Sequence, residues 1–298
     1  MSGVRRLAEV LLVVVVCITG CRTDDNFSTA DGFVSPLKPA DITYEALAER
    51  YNAAIGPVTA LWSRADIGLE WAEVDEDGDR RVRSEGGTGK FIMRRGEKQS
   101  HIAMTVEKLG KIYLWAGSNQ TSYYLFDRVD ADNKTLYVGG HGYTGLSKPF
   151  PLPIQPSMVP ILLGLEPLPI EAFSASDVTI DLYRGQYLLD FPTIGRRMLI
   201  DPRTFRPTRV DLTDRSGYSV LTANLSGQLQ IEGAELAAGA TAIICEKAEI
   251  YVAGFESRFT LEFETATTGK RRIRDRMFDL DALKKALKPD RVVDLDQP

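Results

Sequence analysis

The sequence contains few cysteines and histidines, which limits the chemistry that it can support. It has three cysteines and two histidines in 298 residues. Neither His101 nor His141 has a cysteine or a second histidine at metal-ligand spacing, so we expect no metal and no other cofactor. Cys17 directly follows the first apolar run, and Cys245 follows two isoleucines. We expect Cys245 to be a small buried apolar residue rather than a nucleophile.

An excess of charge of one sign is also lacking. The chain carries 36 Lys and Arg against 41 Asp and Glu, and its formal net charge is -5 at pH 7. A mildly acidic chain without a basic block is a poor partner for nucleic acid, and it has little electrostatic attraction to anionic lipid. We therefore expect no nucleic-acid partner.

Catalytic and nucleotide-binding motifs are incomplete. The stretch Gly86–Lys90 looks like the end of a phosphate-binding loop, but Ser84 stands in place of the first glycine and Phe91 in place of the Ser or Thr that binds magnesium. The three aspartates of the 75–79 turn lack the Gly and Glu of a calcium loop. No Gly-x-Ser-x-Gly motif occurs. We therefore expect that the protein is not an enzyme.

The chain also has no apolar run of the length that a spanning helix needs. The run Leu7–Val16 contains Glu9 and lasts about a dozen residues, well short of the roughly 20 that cross a bilayer. Arg5 and Arg6 precede it, and small residues follow it. This order is typical of an export signal, so residues 1–20 are predicted to be a signal peptide.

The four residues at the end of this signal, Ile18-Thr19-Gly20-Cys21, resemble the lipobox of bacterial lipoproteins. Ile18 stands where leucine is usual. The resemblance implies cleavage after Gly20 and lipid modification of Cys21, with several acyl chains that would hold the protein on a membrane. The alternative is an ordinary secretory signal in which Cys21 is incidental.

The residues after the lipobox are typical of a tether. Residues 22–40 have few apolar side chains and no periodicity, so residues 21–40 are predicted to be a lipidated cysteine followed by a flexible segment. Arg22 follows Cys21 where aspartate would retain an enteric lipoprotein at the inner membrane. This favours an outer-membrane anchor with the domain facing the periplasm, and exposure at the cell surface is left open as an alternative.

Residues 41–298 are predicted to form one domain of mainly β class (α+β). A helix begins after Thr43, and its apolar stripe runs to Leu61 and Trp62, with Gly56-Pro57 expected to end or kink it. From about residue 66 the apolar period changes to two, and roughly a dozen short strands follow. With no helix between most of them, antiparallel pairing is expected, with the helices laid on a single face.

A proline-rich apolar insert at 149–172 interrupts the strands. Its seven prolines exclude a central strand, and the best helix in it is Ser157–Leu163 with Gly164 as the C′ residue. An apolar segment of this kind must cover an apolar surface or be left exposed. We expect a cavity suited to an acyl chain, with ordinary core as the alternative role of the residues predicted to line or cover it: Trp62, Trp71, Trp115, Met158, Ile161, Leu162 and Leu163.

Three parts of the chain resemble the LolA/LolB family, which comprises the periplasmic lipoprotein carrier, its outer-membrane receptor and related envelope lipoproteins. They are a helix at 44–62 that leads into a strand at 67–74, the meander 112–118 and 122–127, and the strand, Asp-Pro turn and strand of 199–217. The resemblance implies an incomplete antiparallel β-barrel, or strongly curved sheet, whose concave face is covered by helices. It also implies that Ser157–Leu163 is part of the lid.

The resemblance implies a function as well. Members of the family bind acyl chains of lipoproteins in the cavity and pass them on, and a lipidated member corresponds to the receptor. We therefore expect a membrane-anchored envelope lipoprotein that binds lipid or lipoprotein acyl chains in envelope biogenesis or lipoprotein localisation. The alternative is a structural lipoprotein that docks another envelope protein without transferring lipid. No individual functional residue is carried over from the family.

Overall fold

The computed structural model describes residues 38–74, 80–97, 99–128, 133–141, 154–170, 177–233, 242–254, 257–268 and 272–297, with side chains omitted at 38, 39, 71–74, 80, 81 and 83. The predicted signal peptide, Cys21 and most of the predicted tether lie outside these residues. So do residues 149–153 and 171–172 of the insert and the side chain of Trp71. Among the described residues, no helix is long and apolar enough to span a membrane.

Fifteen strands form one sheet, the largest unit of the described part of the chain. In chain order the strands are β1 (Lys38–Pro39), β2 (Ala60–Val74), β3 (Arg80–Arg94), β4 (His101–Lys108), β5 (Lys111–Ser118), β6 (Ser122–Asp127), β7 (Thr135–Gly140), β8 (Thr179–Tyr183), β9 (Gln186–Phe191), β10 (Arg196–Ile200), β11 (Pro207–Thr213), β12 (Ser219–Ser226), β13 (Leu229–Gln230), β14 (Ile243–Ile244), β15 (Lys247–Val252), β16 (Ser257–Thr267) and β17 (Arg291–Asp294). Strands β13 and β14 form a separate pair.

The order of the strands across the sheet is β1-β8-β9-β10-β11-β12-β15-β16-β2-β3-β4-β5-β6-β7-β17. Neighbours are antiparallel, except that β17 runs parallel to β7. Strands β1 and β17 are the two edges, and no ladder joins them in the described part of the chain. The sheet is therefore curved and unclosed, which confirms the predicted mainly β class and incomplete barrel.

The glycine run in β3 has a packing role in this sheet. A Cβ atom at Gly89 would lie 1.7 Å from the carbonyl oxygen of Thr105, and one at Gly86 would lie 2.8 Å from that of Ile67. Both glycines therefore allow neighbouring strands to approach closely. This explains why a run that looks like part of a nucleotide loop lies within a strand.

Helix α1 (Tyr44–Ile55) packs on the inner face of the sheet, which we define by the buried side chains of Leu61, Ala65 and Met104. Thr43 caps it as predicted, because its Oγ1 accepts the N–H of Ala46 at 3.3 Å. The buried residues of the helix are Tyr44, Leu47, Ala48, Tyr51 and Ile55.

The predicted apolar stripe does not continue as one helix to Trp62. Gly56-Pro57 ends α1, and β2 begins at Ala60, so Trp62 lies on a strand. Alternation in this strand places Leu61, Ser63 and Ala65 on the buried inner face. The predicted break at Gly56-Pro57 is confirmed. The extension of the helix to Trp62 was wrong, because two apolar residues in succession fit either period.

The described part of the insert forms a 3₁₀ turn (Pro156–Met158) followed by helix α2 (Val159–Leu162). Gly164 has a φ of +64°, so it has the left-handed conformation expected of a C′ glycine. The helix predicted at Ser157–Leu163 is thus present in shortened form. Ile154, Val159, Leu162, Leu163, Leu165 and Leu168 are buried in the inner core.

The C-terminal residues pack on the opposite face of the sheet, which we call the outer face. Helix α3 (Leu280–Leu287) buries Leu283 against Tyr124 and Phe126, and Phe278 packs against Ile92. The prediction that all helices lie on one face was therefore wrong. Tyr124 and Phe126 alternate with Leu125 of the inner core, so this part of the sheet is apolar on both faces.

Candidate functional site

An apolar cavity of about 50 Å³ lies between the inner face of the sheet and the insert. Strand residues form most of its wall, because every second side chain of a strand points to the same face. Ile154 and Val159 of the insert close it on the other side. The apolar lining consists of Ile67, Leu69, Met104, Val106, Leu114, Ala116, Leu125, Ile154, Val159 and Phe259.

The polar lining of this first cavity is confined to Glu85 and Tyr113. Glu85 accepts a hydrogen bond from Lys108, whose Nζ lies 4.4 Å from the centroid of the Tyr113 ring. Burial raises the pKa of Tyr113, so its phenol remains protonated. The charge of Glu85 is thus paired, and the cavity offers a ligand mainly apolar contacts.

The size of the first cavity restricts what it holds in this conformation. A space of about 50 Å³ exceeds the roughly 10–15 Å³ that one water needs on this measure, but it is far below the roughly 300 Å³ of small ligand pockets. It accommodates only a few methylene groups. A longer acyl chain needs a wider cavity, and movement of the insert away from the sheet would provide it.

Side chains of α1 hold the insert in place. The Tyr51 hydroxyl donates to the carbonyl oxygen of Gly164 at 2.7 Å and lies 3.2 Å from that of Glu166. Asn52 pairs with both backbone groups of Leu168, at 2.7 Å and 2.8 Å. Tyr44 and Tyr51 lie on one face of the helix, two turns apart, and Asn52 directly follows Tyr51.

Tyr44 adds a further bond, from its hydroxyl to the carbonyl oxygen of Pro169 at 2.7 Å. Burial raises the pKa of Tyr44 to about 12 and also raises the pKa of Tyr51, so both phenols keep the proton that they donate. Prolines have no N–H, and the carbonyl groups of a buried proline-rich segment still need donors. Helix α1 supplies these donors through its side chains.

Arg95, which directly follows β3, completes these contacts. Its guanidinium donates to the carbonyl oxygen of Leu165 at 2.9 Å and to those of Ile55 and Gly56 at 3.4 Å each. Burial lowers the pKa of Arg95. One side chain therefore joins the sheet, the C-terminal end of α1 and the insert. We refer to Tyr44, Tyr51, Asn52 and Arg95 as the insert clamp.

The predicted site residues fall into two groups in the structure. Leu162 and Leu163 are buried in the inner core, and Met158 packs against that core. Ile161 is half-buried. None of these four lines the first cavity, since Ile154 and Val159 are the insert residues that do. The predicted segment is thus at the cavity, but different side chains of it form the wall.

Trp62 and Trp115 lie on the outer face, away from the first cavity. Both pack in the cluster of Ile92, Ala103 and Phe278. The guanidinium of Arg272 lies 4.5 Å from the centroid of the Trp62 ring. Their position differs from the predicted one because each occupies the alternate strand position to the inner-face residues Leu61 and Ala116. They support the C-terminal residues instead.

The insert clamp was missed in the sequence. Tyr51 belongs to the predicted apolar stripe of the helix, and Tyr44, Asn52 and Arg95 were not predicted to have a role. One signal was available, since a proline-rich apolar insert needs donors for its carbonyl groups from elsewhere in the chain. The sequence does not indicate which side chains supply them.

No protein-family model and no curated protein matches this chain. Among solved structures, the fold is similar to that of a DUF1329 family protein from Desulfovibrio piger, with 12% identity, a TM-score of 0.48, and 80% of this chain and 97% of that chain covered. The values are the same for a domain described as an outer membrane lipoprotein-sorting protein from Vibrio parahaemolyticus. A LolA superfamily protein from Nitrosomonas europaea has 11% identity, a TM-score of 0.44, and coverage of 80% and 99%.

Proposed function

We propose that this chain is an envelope lipoprotein that binds the acyl chain of a lipid or lipoprotein in the first cavity. The observation that carries the proposal is an apolar cavity between a curved sheet and an apolar insert. Each methylene group that leaves water for such a surface contributes about 0.8 kcal/mol. An acyl chain gains most from a wall with so few polar groups. The protein acts by binding, without catalysing a reaction.

The predicted lipid anchor at Cys21 would determine where in the cell this binding takes place. Lipidation at Cys21 would hold the domain at the outer membrane, facing the periplasm, where it would receive or retain acyl chains. A role in lipoprotein localisation or envelope biogenesis follows from this placement. Cys21 lies outside the described residues, so the support for the anchor is the lipobox resemblance alone.

Filling the first cavity tests the proposal. Ala116 lies in its wall and is 5% exposed, so Ala116→Leu places three extra carbon atoms in the cavity. We expect the Kd for a fluorescent fatty acid to rise about tenfold or more, which corresponds to about 1.4 kcal/mol. Val220→Leu adds bulk at an exposed position of β12 and serves as the control.

Thermal melting shows whether each variant is folded, and mass spectrometry of the purified wild-type protein detects bound lipid. Unchanged fatty-acid binding in folded Ala116→Leu contradicts the proposal, as does the absence of both bound lipid and fatty-acid binding in the wild type. Alanine substitutions at Met158, Ile161 and Leu162 distinguish lipid binding from the alternative, in which the protein docks another envelope protein. Loss of a partner in pull-down with lipid binding retained would favour that alternative.

A further inference from the structure

A second cavity, of about 290 Å³, lies beside the turn between β10 and β11. Its volume is close to the lower end of the roughly 300–1,000 Å³ of ligand pockets. The second cavity shares no lining residue with the first. Val159 at the start of α2 lines the first cavity, and Leu163 just after its end lines the second. The apolar side chains in the lining of the second cavity are Ile55, Leu163, Leu165, Pro207, Leu225, Ile243 and Ile244.

Arg206 is the basic residue among the lining side chains of the second cavity. Its Nε is buried and has no hydrogen-bond partner. Burial lowers the pKa of Arg206, and no neighbouring charge in the described part of the chain contributes to that shift. Its guanidinium forms no ion pair with a described carboxylate. A half-buried cation without a counterion is costly to keep, unless a ligand supplies the anion.

The other titratable groups of the second cavity do not neutralise Arg206. Asp201 is the carboxylate in the lining, and its Oδ1 accepts the backbone N–H of Arg203 at 2.7 Å. Burial raises the pKa of the Cys245 thiol to about 12, so that group is uncharged. The guanidinium of Arg50 lies 5.0 Å from the ring centroid of Phe205, the neighbour of Arg206. Cations thus outnumber carboxylates at this turn.

We propose that the second cavity binds an oxyanion, a phosphate or carboxylate group of a small molecule, through Arg206. A guanidinium presents N–H groups in a planar fork that matches two oxygens of such a group. Thr204 and the exposed rim residues Ser226 and Gln228 add polar groups beside it. The apolar side chains next to Arg206 leave room for a short hydrocarbon portion attached to the anion.

Titration calorimetry of the detergent-solubilised full chain tests this site with three probes: inorganic phosphate, dihexanoyl phosphatidic acid and dihexanoyl phosphatidylcholine. We expect Arg206→Gln to weaken binding of phosphatidic acid about tenfold or more, because a charge-assisted hydrogen bond is lost. Arg203→Gln is the matched control, since Arg203 is exposed in the same turn and does not line the cavity. Thermal melting verifies that both variants fold.

The probes separate the sources of the anion. Equal Arg206-dependent binding of phosphate and phosphatidic acid supports a free oxyanion, and much tighter Arg206-dependent binding of phosphatidic acid supports a lipid headgroup. Absence of binding by all three probes contradicts the proposal, and so does equal binding by wild type and folded Arg206→Gln. Ala116→Leu should leave binding at this cavity unchanged, so the outcome is independent of acyl-chain binding in the first cavity.

Discussion

The residue with the clearest pH-dependent role is His101. Its ring lies 5.7 Å from that of Phe278, centroid to centroid, and its Nε2 is buried without a hydrogen-bond partner. Burial lowers the pKa of His101 below its ordinary value of 6.5, Arg94 lowers it further, and Asp275 opposes the shift. The folded protein therefore binds this proton less readily than the unfolded chain does.

This difference predicts the sign of a pH effect on stability. The free energy of unfolding should decrease as the pH falls below about 6.5, because protonation of His101 then favours the unfolded state. His101→Gln has no such proton, so its stability should fall less over the same range. Urea unfolding at several pH values measures the difference between the two proteins. Parallel stability profiles would contradict the assignment.

His101 also shows which properties of a single residue can be predicted from the sequence and which cannot. Alternation along β4 predicts that His101 shares a face with Ala103, opposite Ile102 and Met104, and the structure has this arrangement. Alternation alone also predicts a surface position for His101, whereas the structure places Phe278 against it. Periodicity indicates which residues share a face, but it does not indicate that a segment about 180 positions away covers that face.

At the scale of elements, the insert clamp is what holds the insert in place, so weakening the clamp should allow the insert to leave the sheet. The insert contributes few bonds of its own between residues 164 and 169, and it depends on donors from α1 and Arg95. Asn52→Ala would leave both backbone groups of Leu168 without their partner, at a cost of about 1–3 kcal/mol for each group that stays buried.

Hydrogen exchange measures this prediction. In Asn52→Ala, the amides of Leu165, Glu166 and Leu168 should exchange faster, while those of α1 keep their protection. The association rate of a fatty acid should rise, because the insert opens more often. Glu49→Ala, at an exposed position of the same helix, is the control. Equal exchange of the 164–169 amides in all three proteins would show that the clamp does not hold the insert.

The elements themselves were largely predictable, and their partners were not. Thr43, Gly56-Pro57 and Gly164 mark boundaries through the backbone conformations that they favour. The cavity wall depends on the rotation of a four-residue helix, which brings Val159 rather than Met158 to the cavity. So short a helix has no clear apolar stripe, and its orientation is fixed by contacts with distant strands.

At the scale of the whole molecule, the described fold shortens the predicted tether. Lys38 and Pro39 already pair with Leu182 and Asp181 of β8, so the predicted tether after Cys21 covers at most residues 22–37. A flexible chain of that length has a root-mean-square span of roughly 22 Å. Lipidation of Cys21 would thus hold the β1 edge of the sheet at about that distance from the lipid surface on average.

The predicted lipidation of Cys21 can be tested on the intact protein. Mature wild-type protein should carry acyl chains on its first residue, and Cys21→Ser should lack them. Cys245→Ser, the matched control, should be lipidated as the wild type is, because Cys245 lies in the folded domain. Mass spectrometry of the N-terminal peptide after expression in a bacterial host measures the difference. An unmodified wild-type Cys21 would overturn the anchor.

The pairing of β2 with β16 in the middle of the sheet has a consequence for the rate of folding. Trp62 pairs with Thr267, and Glu70 pairs with Arg258. This ladder joins residues about 190 to 200 positions apart, so a very long loop must close before it forms. Proteins with many such distant contacts fold slowly. The two halves of the sheet can join only after β16 is available, and until then each half exposes an unpaired edge to other chains.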